Sequence, residues 1–159
     1  MHTDLWNHAL ALYARPGVEG ACLALQALGG DVCLLLCGTW LQARQVAPNE
    51  QRIQALQALA SPWQRDVVTP LRTLRQQWRE QALADPNLSV LREQVKNLEL
   101  QAERTLLERL ETLARVWPAE QNETEDWLAR LAPDQARDHD ALHTLRAVAR
   151  KLQEAEEGD

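Results

Sequence analysis

The sequence predicts an all-α protein, a compact multi-helix bundle with an apolar central helix at about 32–45 and one long helix at about 86–117. Three observations carry this. Leu, Ala and Gln together supply 66 of the 159 residues, and Leu, Ala and Gln are good helix formers while Ala is depleted in strands. Apolar residues recur at three- and four-residue steps, the period of one helical face. Helix start and stop residues divide the chain into segments of helical length.

Thr3 or Asp4 caps a first helix to about Ala14, apolar over a wide arc through Leu5, Trp6, Ala9, Leu10, Leu12 and Tyr13. Arg15-Pro16-Gly17 breaks it, and a second helix from about Pro16 to Leu28 ends at Gly29-Gly30. Asp31 caps the third, Val32 to about Gln45, whose Val-Cys-Leu-Leu-Leu-Cys-Gly-Thr-Trp-Leu run is apolar on every face and calls for neighbours on all sides. Gly20 and Gly38 are expected to admit close backbone approach.

Asn49 caps a fourth helix to Ala60. Ser61-Pro62-Trp63-Gln64 matches a capping box for a fifth, running to Ala84 with a kink near Thr69-Pro70. Asp85-Pro86 opens the long helix, with an expected stripe of Leu88, Leu91, Val95, Leu98, Ala102, Leu106, Leu110, Leu113 and Trp117. That stripe averages about 3.6 residues per turn, so the helix is a straight rod of about 45 Å. Leu100 and Leu107 fall off the stripe and form an edge for a second partner. Past Pro118, a short helix carries Trp127, Leu128 and Leu131, and a last helix runs from near Asp138 to Glu154. The chain is thus expected to divide into a bundle over 1–117 and a C-terminal helical extension over 118–159, with a frayed acidic tail.

The formal charge of −6 argues against a dedicated nucleic-acid binder, which needs a net basic face. The start of the chain lacks the basic residues of a secretory signal, and its longest apolar stretch is too short for a bilayer, so a cytoplasmic protein is expected. Three cysteines read as reduced thiols.

Few residues suggest chemistry. Cys33 lies in the first turn of its helix, where a thiol can be activated, yet its surroundings favour a buried filler. His139 and His143 sit four apart but lack a third ligand and a Glu beside the first, so no metal or cofactor is expected. Arg65, Arg72, Arg75 and Arg79 form a basic stripe near Trp63 and Trp78, a candidate anion site. Glu99, Glu103 and neighbouring acids on the next helix make pairing between antiparallel helices the favoured reading. The six Trp supply bulky core volume in a chain without Phe.

The segment Leu12-Tyr13-Ala14-Arg15-Pro16-Gly17-Val18-Glu19-Gly20-Ala21-Cys22-Leu23-Ala24-Leu25-Gln26, followed by Gly30-Asp31-Val32-Cys33-Leu34-Leu35-Leu36 and Trp40, resembles a bacterial family of small uncharacterised helical proteins, a domain of unknown function. The resemblance covers residues 5 to about 115 and implies a compact cytosolic helical domain with no activity to carry over. Arg15, Gln26 and Asp31 are the polar residues of that block.

Two functions follow as expectations. The first is a non-catalytic interaction or adaptor protein, with a protein partner or self-association, for which the long rod speaks. The second is a small-molecule site or enzyme in the N-terminal bundle, built from Arg15, Gln26 and Cys33 near Trp6 and Trp40.

Overall fold

A computed structural model describes residues 4–120 and 125–158. Among these residues the chain forms helices joined by short irregular connections, with no strand. The helices are α1 (Leu5–Tyr13), α2 (Val18–Ala27), α3 (Val32–Ala43), α4 (Glu50–Trp63), α5 (Thr69–Gln77), α6 (Arg79–Ala84), α7 (Pro86–Ala114), α8 (Trp127–Leu131) and α9 (Asp140–Glu157).

The expected caps close several of them. Asp4, Asp31, Asn49 and Asp85 each accept a backbone N–H from the first turn of α1, α3, α4 and α7. Gly29 takes a φ of 91°, and the following N–H of Gly30 returns to Leu25 O at 2.9 Å, ending α2 by a left-handed cap.

α3 is the centre of the molecule. Cys33 through Leu41 are all buried, because α1, α4, α7, α8 and α9 pack around them. A fully buried Leu contributes about 2 kcal/mol, so the Leu34-Leu35-Leu36 run is a large share of what holds the bundle. Gly38 fulfils the role expected of it. A Cβ there would stand 2.9 Å from Leu131 Cδ1 and 3.4 Å from Trp127 Cβ, so α8 sits directly on the α3 backbone. Gly20 does not, since a Cβ there meets nothing within 4 Å.

Trp127 is fully buried, donates from Nε1 to Val46 O at 2.6 Å and stacks on Trp117 at 6.3 Å. Gln45, at a φ of 61°, turns the chain after α3 so that this carbonyl is presented. α9 packs along α2 and buries Leu142, Leu145 and Leu152 in the same core cluster as α1–α4. It continues in helix to Glu157, three residues beyond the expected end.

The segment between α4 and α7 departs from expectation. Ser61-Pro62 does not start a helix: α4 runs through Pro62 and continues into a π-helical turn at Gln64–Val68, where the N–H of Thr69 reaches Gln64 O. Tertiary packing overrides the local cap, because a continuous helix keeps Ala60 in the core and lets Trp63 Nε1 donate to Ala102 O at 2.9 Å. The wide turn precedes Pro70, which has no N–H to give the helical ladder. The helix expected to reach Ala84 also bends at Trp78, which divides α5 from α6.

The inward face of α7 is Val95, Glu99, Ala102, Leu106, Leu107, Leu110 and Ala114. Leu91 and Leu98, expected inside, are about half exposed, and Leu107, expected on an outer edge, lies in the core. The rod ends at Ala114 rather than Trp117 and is about 43 Å long. Its first nine residues bury nothing, nor do α5 and α6. Residues 69–98 therefore form a helical hairpin extending beyond the core.

Candidate functional site

The polar centre of the molecule lies where this hairpin joins the body. Arg72 and Arg75, three apart on α5, share a face and point at α7. There Arg75 Nε donates to Glu99 Oε1 at 2.6 Å and Arg72 Nε to Oε2 at 3.1 Å. Glu99 is only 6% exposed, so its charge needs both guanidiniums. Arg72 also stands 4.0 Å from Glu103, one turn further along α7. From α2, Gln26 turns its amide oxygen to Arg72 and accepts from Nε and Nη1 at 2.7 Å. Arg92 closes the outer side by donating to Arg75 O at 2.9 Å.

Asp31 and Gln64 extend the network to α3 and the π turn. Asp31 Oδ1 accepts from Leu34 N at 3.1 Å, which caps α3, and from Gln64 Nε2 at 2.9 Å. π turns inside α-helices are frequent at functional sites, and this one places Gln64 against the cap.

Glu103 is the unusual acid. Burial and then the neighbouring charge of Glu99 raise its carboxyl, Arg72 and Arg75 only partly oppose them, Asp31 adds a smaller push, and together they bring it from 4.5 to about 7. Asp31 is also held above the usual carboxylate range by burial. Next to Glu103, Tyr13 shares a hydrogen bond with Cys22, and burial raises both groups, the thiol to about 11. The site therefore combines two guanidiniums, the Glu99 carboxylate held between them and a second carboxyl raised to about 7.

The five residues expected to form a small-molecule site are divided. Gln26 belongs to this cluster, and Cys33 lies beneath it, within electrostatic reach of Arg72 and Asp31. Burial drives the Cys33 thiol well above its ordinary range, and Cys37 likewise. That is opposite to the activation a helix N-terminus gives. Arg15 is exposed after α1. Trp6 stacks under Arg104 at 4.9 Å and Trp40 under Arg44 at 4.4 Å.

The basic stripe divides as well. Arg72 and Arg75 are spent on α7, Arg65 pairs with its neighbour Asp66 at 2.9 Å, and Arg79 is exposed on α6. His139 caps α9, its Nδ1 accepting from Ala141 N, while His143 meets Arg146. A cavity of about 800 Å³ opens elsewhere, between the end of α3, α8 and α9, lined by Thr39, Gln45, Asp126, Arg146 and Arg150 among others.

Sequence reasoning missed two features. Glu99 and Glu103 read only as members of an acidic face, although Val95, Glu99, Ala102 and Leu106 follow the helical period and place Glu99 inward. The pair His8 and Thr39 went unread. Both are buried, with His8 Nε2 2.9 Å from Thr39 Oγ1. Thr39 gives its proton to Leu36 O at 2.7 Å, so the imidazole is the donor to Thr39.

The fold and site define a class: an all-α bundle around a buried central helix, with a hairpin joined to it by an ion-pair network. The chain belongs to the family described as a protein of unknown function (DUF2390), whose model matches residues 4–110. The matched span holds the network and the hairpin, while α8 and α9 lie beyond it. No curated protein and no solved structure matches the chain. No helix among the described residues is long and apolar enough to cross a membrane.

Proposed function

We propose that the chain is a non-catalytic helical interaction or adaptor protein of the bacterial cytoplasm, and that the hairpin of residues 69–98 is its docking element. The observation that carries this is the mismatch between length and burial. Helices fold by covering an apolar face, yet α5 and α6 bury no residue and Leu83 beside the Asp85 bend is 87% exposed. Val90, Leu91 and Leu98 are exposed on the facing helix of the hairpin, α7. A net charge of −6 disfavours nucleic acid as the partner.

The test is affinity isolation with the full chain and with Leu83→Glu/Val90→Glu. Both sites are exposed, so the variant keeps its fold. Support is a protein retained by the wild type and lost from the variant; equal retention by both, or by neither, removes the proposal.

A second reading is a small-molecule site or enzyme centred on Gln26, Arg72 and Glu103 above Cys33. It is favoured by a carboxyl near pKa 7 beside two guanidiniums, the environment in which acid–base groups are tuned. A thermal-shift screen of small carboxylates and amines would support it through a hit abolished by Glu103→Gln, and an empty screen would oppose it.

A further inference from the structure

We infer that the hairpin of residues 69–98 docks against the same hairpin of a second copy of this chain, antiparallel, to form a four-helix bundle with the two bodies at opposite ends. The inference rests on the reading of the hairpin as a docking element and names its occupant.

Area is the first support. The accessible surface is 9466 Å², whereas a compact monomer of 18.0 kDa exposes about 8,000 Å². The excess, about 1,400 Å² against that scaling, exceeds the roughly 800 Å² per partner that a stable interface covers. The hairpin standing off the core contributes to that excess through Leu83, Val90, Leu91 and Leu98, all about half exposed or more, and pairing two hairpins would cover them.

Charge selects the partner. The distal part, residues 76–98, holds Arg79, Arg92 and Lys96 against Glu80, Asp85 and Glu93, a net of zero in a chain of net −6. The cations further back, Arg72 and Arg75, are occupied by Glu99. Two copies of an acidic chain repel each other over their bodies but not through these balanced tips. A neutral tip carrying both signs offers a second copy anions as well as cations, so two such tips meet without net repulsion in a two-fold interface. A strongly basic or acidic partner would find no net field here.

Spacing selects the geometry. Leu91 and Leu98 are seven apart, so they recur on one side of α7, the repeat by which helices pack lengthwise. Leu83 and Val90 flank the bend, and an antiparallel arrangement carries each bend alongside the other copy's α7. Two antiparallel helical hairpins joined in this way make a four-helix bundle of ordinary topology.

The test places a photo-crosslinking amino acid at position 83 of the full-length chain and combines irradiation in cells with sedimentation of the purified protein. The expected result is a crosslinked product of twice the chain mass, and a concentration-dependent dimer that becomes monomeric with Leu91→Glu/Leu98→Glu. A crosslink to a different protein, with a monomer at every concentration, overturns the inference but leaves the hairpin a docking element. Absence of any crosslink overturns both. A dimer unmoved by the substitutions places the interface elsewhere and overturns the inference too.

Discussion

Glu103 couples folding to pH through its raised carboxyl. Its carboxyl is raised in the folded state, so folding favours the protonated form. The stability it contributes is complete below pH 4.5 and is lost as pH rises through about 7. The span corresponds to at most about 3 kcal/mol, reduced by screening of the partly open side chain. Asp31 shifts in the same direction. Thermal unfolding should therefore show a Tm that falls between pH 5 and pH 8. Glu103→Gln should flatten that slope and exceed the wild type at pH 8, while an unchanged slope would place the titrating group elsewhere. Glu99 is the anion on which Arg72 and Arg75 depend. Glu99→Ala leaves two half-buried guanidiniums without their carboxylate and should cost at least about 2 kcal/mol in denaturant unfolding. Much of this was open to reading residue by residue: Asp31 as a cap, the cysteines as filler, the arginines as partners of an acidic helix. What the sequence concealed was their convergence. Gln26, Arg72 and Glu103 come from three distant segments, and their meeting depends on the register of α5 against α7. One misassigned position on α7, Leu98 in place of Glu99, hid the buried acid.

Among the elements, α3 and the long rod were plain from composition and period, because a helix apolar on all sides has few other fates. The joint between α4 and α5 was not. Ser61-Pro62-Trp63-Gln64 satisfies the local rules for a helix start, yet Ala60 and Trp63 are worth more on one unbroken face than the cap is worth alone. The π turn is the adjustment that keeps the helix going to Pro70, and no local pattern announces it. The packing of α8 was half legible: Gly38 was expected to admit a neighbour, and that neighbour is the helix carrying Trp127. Trp127→Ala removes a fully buried ring, its hydrogen bond to Val46 and its stack on Trp117, and should cost about 3–5 kcal/mol in chemical denaturation. A loss under about 1 kcal/mol would mean that α8 adds little to the bundle.

For the whole molecule, two parts meet at the charged joint. The body is a conventional bundle with its apolar helix at the centre. The hairpin sets α5 and α6 against the start of α7, and its outward leucines and valine are about half exposed or more. All-α architecture followed from composition, but the division of α7 between core and hairpin did not, since its periodicity is continuous and only its partners change. The most direct measurement is hydrogen exchange on the full chain, followed by mass spectrometry at low and high protein concentration. The expected result is an α3 protected throughout, and amides of residues 76–98 that exchange rapidly when dilute and become protected as concentration rises. Protection of those amides equal to that of α3 in the dilute monomer would contradict the assignment of the hairpin as a docking element.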